Sequence, residues 1–212
     1  MDTFEEIADE RRGLADLLSD LTVEQRAVPS LCSGWTVQVV AGHLVVSLEV
    51  SLPRFALAVL RSRGSFDRAN DRLARGQAER PFDEVITVLR QGADSRFTPP
   101  GAGPEVPLTD LLVHGLDIRW PLGLARHVPE ERLQKSLTFL TSASARGFVA
   151  KNVLQGLRIE AADTDWFHGS GPTVLGDAEA LLLALTGRTS ALSHLRGDGA
   201  PTLRDRLLTP RG

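Results

Sequence analysis

Three residues in two separated stretches have the types and spacing to hold one metal ion. They are His43, in Ala41-Gly42-His43-Leu44, and the pair Asp110 and His114, in Thr109-Asp110-Leu111-Leu112-Val113-His114. An α-helix repeats every ~3.6 residues, so Asp110 and His114, at i and i+4, share a face. Two imidazoles and a carboxylate leave a coordination position open, as catalytic zinc sites do and closed structural sites do not. An ordinary alternative stands beside this: a hydrogen-bonded core histidine, and an acid–imidazole pair that only supports its helix. Ligation gains weight because both histidines fall on the apolar sides of helices expected to pack together. An unpaired ring there is costly, and facing helices of bundles are recurrent metal sites. Asp117, three residues after His114, is either a fourth ligand or a carboxylate that orients an imidazole; its plainer reading is a salt bridge with Arg119 or another arginine.

The remaining candidates are weaker. His127, His168 and His194 fall in or near loops and termini, and read as solvated or locally bonded. Cys32 sits between Leu31 and Trp35 in a loop expected to pack on the helices, with no basic neighbour to lower its pKa. Leu31 and Trp35 read as support for His43 rather than as substrate contacts. No glycine-rich phosphate loop of the Walker or Rossmann type occurs, since Gly169-Ser170-Gly171-Pro172 is too short and wrongly placed. No Gly-x-Ser-x-Gly elbow is present either. Nucleotide hydrolysis and serine esterase chemistry are weak options for this chain.

Those residues must be carried by a scaffold, and the 212 residues, 42% hydrophobic and 24% charged, are enough for one large domain or two small ones. A net charge of -3 argues against a nucleic-acid partner, which would call for a concentrated basic face. A single cysteine and an N-terminus without a basic-then-apolar layout point to a cytoplasmic protein. The longest apolar stretch, Thr36 to Leu60, is interrupted by Gln38, His43, Glu49, Pro53 and Arg54, too polar to span a membrane.

Along the chain, Asp2 to Leu21 shows helical apolar spacing, Thr22 opens a short turn, and Pro29 to Trp35 is a loop. Thr36 caps a helix expected to run from Val37 to Arg63, bent at Pro53, which puts His43 near its start. The polar stretch Ser62 to Arg80 reads as a separator before a third helix that begins at Pro81. A fourth helix starts near Leu108, carries Asp110 and His114, and stops at Pro121. Another follows Pro129 to about Phe148. Leu157 to Asp163 then alternates apolar and polar as a strand does, a turn follows at Gly169, Thr173 to Gly176 is a short strand, and Asp177 to Thr186 is helical. The expected fold is α+β and mostly α: a four-helix bundle over 1–128 followed by a small α/β domain over 129–212.

Two segments carry a family resemblance. Pro29-Ser30-Leu31-Cys32-Ser33-Gly34-Trp35-Thr36 through Gly42-His43-Leu44, and Val113-His114-Gly115-Leu116-Asp117-Ile118-Arg119-Trp120-Pro121, resemble the two signatures of the mycothiol-dependent maleylpyruvate isomerase family, within the DinB-like superfamily of metal-binding four-helix bundles. The resemblance implies that His43 is the first metal ligand and His114 the last, with zinc the usual metal. The ligand four residues before the last histidine is commonly glutamate in that family, and here it is Asp110. An aspartate is one methylene shorter, so the metal must move, the helix approach more closely, or a water bridge. The resemblance also implies mycothiol as thiol cosubstrate, bound through sulfur at the open metal position, where coordination deprotonates it. In the isomerase reaction the thiolate adds to the conjugated double bond of maleylpyruvate, rotation follows about the new single bond, and elimination gives fumarylpyruvate. Other members transfer the thiol to an electrophile. An arginine of the C-terminal domain is implied in handling an anionic substrate, and Arg188, in Thr186-Gly187-Arg188, is the candidate. The catalytic residues expected are thus Asp110 and Arg188, in an isomerase or thiol S-transferase acting on a small electrophile as monomer or homodimer. Two rivals remain: a non-catalytic ligand-binding or resistance protein on the same bundle, and a metal-dependent hydrolase.

Overall fold

A computed structural model describes residues 2–125, 127–145, 147–150 and 152–209. The chain divides into two compact units, one ending at Ala125 and the other beginning at position 126. It is mostly helical, with one small sheet in the second unit.

The first unit holds α1 (Thr3–Ser19), α2 (Val23–Ala27), α3 (Val37–Leu44), α4 (Val46–Glu49), α5 (Leu52–Arg61), α6 (Phe66–Ala78), α7 (Phe82–Gln91) and α8 (Glu105–Leu122). α1 begins with a capping box between Asp2 and Glu5, which satisfies first-turn amides that lack helical partners. Its fully buried Ile7, Leu14 and Leu18 pack toward α7 and α8. Buried Arg11, on the same helix, donates through Nη1 to the carbonyls of Gly92, Ala93 and Ser95 at 3.2, 3.0 and 2.7 Å. It thereby ties α1 to the end of α7, where carbonyls have no helical donor. α3 packs on α6, α7 and α8.

Three sequence expectations change here. The helix expected from Val37 to Arg63 is three helices, and Pro53 begins one rather than bending it. Val50 is extended, and Pro53 falls in the first turn of α5, where its missing N–H would have had no partner anyway. His43 consequently lies in the last turn of α3, not near the start of a long helix. The polar stretch 62–80 contains a 13-residue helix, α6, capped by Ser65, whose hydroxyl accepts from the Arg68 amide at 3.3 Å. Its buried residues are Ala69, Ala74 and Ala78. An alanine stripe is only weakly hydrophobic, so the helix as a whole reads as polar although its two faces differ, and the small side chains let backbones approach closely.

The second unit holds α9 (Glu130–Leu140), β1 (Arg158–Ala161), β2 (Phe167–Gly169), β3 (Thr173–Gly176), α10 (Ala178–Leu185), a 3-10 turn (Thr189–His194) and α11 (Ala200–Leu208). The sheet order is β2-β1-β3, with β2 antiparallel and β3 parallel to β1; Ile159 stands opposite both His168 and Val174. α10 is buried almost all round, packing on α9 and the 3-10 turn. α9 stops at Leu140, short of the expected Phe148. The Thr141 hydroxyl donates to the Leu137 carbonyl (2.9 Å) and that of Ser142 to the Phe139 carbonyl (2.7 Å), occupying the acceptors of the final turn.

Candidate metal centre

α8 is buried all round from Leu108 to Ile118 except at one position, Asp110. A helix of that kind belongs inside a protein, so the exception marks where it meets an opening. The Asp110 side chain keeps 36% of its surface accessible, whereas that of His114 keeps 9%.

The carboxylate lies between two imidazoles. Asp110 Oδ2 is 3.5 Å from His43 Nε2, and Oδ1 is 3.5 Å from His114 Nε2. One ligand atom from each of the three residues lies within 4.8 Å of the others. Two ligands on a tetrahedral zinc with bonds of ~2.0 to 2.1 Å stand roughly 3.3 to 3.4 Å apart, so the Asp110 oxygens are already at ligand spacing. α8 brings the shorter side chain to this spacing. His43 Nε2 is buried and has no hydrogen-bond partner. A buried ring nitrogen with nothing to bind, aimed at a carboxylate, is a vacant donor that a cation would satisfy.

The far nitrogens of the two rings are held. His114 Nδ1 is 2.9 Å from Asp117 Oδ2, and Asp117 is wholly buried. Asp117 is therefore placed to orient the His114 ring. His43 Nδ1 is 3.1 Å from Asn70 Oδ1 on α6. An Nδ1–H donated to each oxygen leaves Nε2 as the atom of each ring that faces Asp110 and that would ligate once it carries no proton.

The loop before α3 braces this arrangement. The turn from Cys32 to Trp35 closes with Trp35 N–H donating to the Cys32 carbonyl at 3.0 Å, and Gly34 at φ +79° supplies the positive φ its third position requires. Trp35 then lies over both imidazoles, its centroid 5.3 Å from that of His43 and 6.2 Å from that of His114. Its Nε1–H donates to Asp71 Oδ1 at 2.8 Å. Pro121 has no N–H, so the Asp117 carbonyl one turn earlier loses its helical donor. The Leu31 N–H donates there instead, at 3.2 Å. The loop therefore supports His114 as well as His43.

Electrostatics follow from this geometry. Burial would raise the Asp110 pKa, but the imidazoles of His114 and His43 outweigh it and hold the carboxyl well below its usual range. Burial would lower that of His114, but Asp110 first and Asp117 second raise it to about 9.

Arg188 lies in the second unit, at the start of the 3-10 turn, where its Nη1 donates to the Thr186 carbonyl at 2.8 Å. His127, His168 and His194 are exposed, and Cys32 is half-buried. Sequence reasoning missed Asn70. The available signal was an asparagine four residues before Ala74 and eight before Ala78, in a stretch read as a separator.

The family described as the mycothiol maleylpyruvate isomerase N-terminal domain matches residues 7–97, a span that includes His43 and Asn70 and ends before α8. Two solved structures share the fold: a mycothiol-dependent maleylpyruvate isomerase, with a TM-score of 0.56, and a histidine-to-alanine mutant of that enzyme, with 0.55. In both cases the identity is 16%, with 94% of this chain and 97% of the other covered. No curated protein sequence matches this chain. Among the described residues no helix is long and apolar enough to cross a membrane.

Proposed function

We propose, for a chain whose N-terminal domain belongs to the mycothiol maleylpyruvate isomerase family, a divalent-metal enzyme that uses mycothiol as thiol cosubstrate to isomerise, or to transfer the thiol to, a small electrophile. The observation that supports it best is the orphaned, buried His43 Nε2 at ligand spacing from Asp110, matched by His114 on the other side. His43, Asp110 and His114 are the proposed ligands and zinc the proposed metal, since two imidazoles and one carboxylate suit zinc and leave a position open. Bound there, the metal supplies a Lewis-acid position at which a thiol gives up its proton near neutral pH.

The chain's own groups prepare that chemistry. Asp110 is ionised without competition for its proton, so it enters as an anion and contributes the one negative ligand charge. Asp117 and Asn70 fix the ring orientations. Trp35 covers both imidazoles and keeps water from that side, which strengthens electrostatic interactions within. The accessible edge of Asp110 is the side from which a thiol can approach. Arg188 is the proposed residue for an anionic substrate, so Arg188→Ala should raise KM more than it lowers kcat.

Cobalt substitution tests the proposal. Chelator-treated protein should take up one cobalt(II) per chain, and added mycothiol should produce a thiolate-to-cobalt charge-transfer band that Asp110→Ala lacks. Absence of stoichiometric metal uptake would favour a non-metal binding protein. Uptake with no thiol response would favour a hydrolase with activated water.

A further inference from the structure

The two histidines are held by different chemistry. Asp117 is a carboxylate on the helix that carries His114, three residues away. Asn70 is a neutral amide on α6, 27 residues from His43. We infer that Asn70 is a positioning residue for the metal centre: its side-chain oxygen holds the proton of His43 on Nδ1 and so presents Nε2 to the cation. The inference rests on the metal reading above.

The surroundings separate this role from mere packing. α6 is fastened beside Asn70 by contacts that do not involve the amide. Asp71 accepts from Trp35 Nε1 at 2.8 Å, and Arg75 bonds both Asp71 (2.9 Å) and the Gly34 carbonyl (2.9 Å). Gln38 Nε2 donates to the Ala78 carbonyl at 2.7 Å. At Gly42 the two helices approach so closely that a Cβ would stand 2.5 Å from the Ala74 carbonyl oxygen and 2.7 Å from the Ala78 nitrogen. With α6 held from Asp71 to Ala78, losing the Asn70 acceptor leaves the helix docked. What changes is His43: without an acceptor at Nδ1 its ring is free to carry the proton on Nε2, facing the Asp110 carboxylate, in the form that cannot ligate. Partners of this kind typically contribute about 10- to 100-fold to metal affinity.

The same logic makes the amide a tunable element. A carboxylate at position 70 would give His43 the kind of partner that Asp117 gives His114, raising its basicity as a ligand. Leucine, of similar shape, removes the acceptor and keeps the volume.

The test compares wild type, Asn70→Leu and Asn70→Asp by zinc competition against a chromophoric chelator, with thermal unfolding of the metal-free proteins alongside. Asn70→Leu should bind zinc about 10- to 100-fold more weakly while its metal-free melting temperature stays close to wild type, and Asn70→Asp should bind at least as tightly as wild type. Zinc affinity of Asn70→Leu within twofold of wild type would overturn the inference, as would a melting loss large enough to account for the affinity loss with no rescue by Asn70→Asp. The tautomer is read independently from long-range proton–nitrogen spectra of the metal-free protein in alkaline buffer. His43 should carry its proton on Nδ1 in wild type and redistribute it in Asn70→Leu, and an Nε2–H form in wild type overturns the assignment. If wild type binds no zinc, the metal reading fails, and these spectra still decide the role of Asn70.

Discussion

Asp110, His114 and Asp117 lie within two turns of α8, so one helix delivers a carboxylate, an imidazole and the group that orients that imidazole. The environment of His43 is assembled from three places: α3 for the ring, the loop before it for the indole that covers it, and α6 for the amide behind it. The first arm is held by helical geometry, which hardly varies. The second depends on how closely two helices dock. Damage to packing should therefore reach the metal through His43, and damage to charge should reach it through His114.

The largest effect is expected where the arms share a support. Trp35 touches both rings and is only 9% exposed. Trp35→Ala should lower stability by about 3 to 5 kcal/mol, measured by urea unfolding of metal-free protein. Lost turnover with unchanged stability would instead make the indole a substrate contact.

Next is the residue at which the arms meet. Asp110→Ala removes the only anionic ligand and should weaken zinc at least about 100-fold, more than loss of an orienting partner does. Asp110→Glu should stay within about tenfold of wild type, since the present oxygens sit at ligand spacing and a longer side chain can fold back. Calorimetric zinc titration of the three proteins checks this; equal affinity throughout would take Asp110 out of the site.

Two glycines sharpen the contrast. Each lies beside a ligand histidine, but an added Cβ at Gly42 would press on the α6 backbone, whereas at Gly115 it would meet only Leu14 Cδ2 at 3.4 Å. Gly42→Ala should destabilise by about 1 to 3 kcal/mol and weaken zinc as well, because α6 carries Asn70. Gly115→Ala should be neutral, or stabilising by up to about 1 kcal/mol from helix propensity. Equal effects at the two positions, in melting and in zinc titration, would dissolve the distinction between the arms.

This difference also explains what was legible in the sequence. The pairing of Asp110 with His114 follows from a spacing of four, and the partnership of His114 with Asp117 from a spacing of three, because both are local. The strand at Ile159 showed through its alternation, and the apolar helix at Ala178 through its alanine- and leucine-rich composition. Asn70 could not, since its significance exists only once Ala74 and Ala78 lie against Gly42, and a buried face made of alanines is too weakly hydrophobic to stand out in a polar stretch. Pro53 misled for a related reason: proline breaks a helix interior and suits a first turn equally well, and which applies is decided by Val50 becoming extended. The tie from Leu31 to Asp117 was hidden too, as it requires seeing that Pro121 frees a carbonyl and that a distant loop supplies the donor.

The smallest expected effect concerns charge on the α8 arm alone. In metal-free protein His114 titrates at about 9, because Asp110 and Asp117 favour its charged form by more than burial opposes it. The folded value lies above the ordinary 6.5, so the stabilisation from this imidazolium is complete below pH 6.5 and is lost as pH rises toward 9. Zinc has the opposite slope, since ligation needs a bare Nε2 and must displace that proton. Asp110, ionised throughout, releases none. Affinity should therefore climb with pH by at most about tenfold per unit, about 1.4 kcal/mol, and level off near pH 9 as far as His114 controls it. Titration at neutral pH in two buffers of different ionisation enthalpy should show proton release that Asp117→Asn diminishes, because one of the carboxylates holding the charge is gone. Metal-free stability that rises between pH 6.5 and 9, or proton release unchanged in Asp117→Asn, would mean that Asp117 orients the ring without charging it, and the α8 arm would then work by geometry alone, as the α3 arm does.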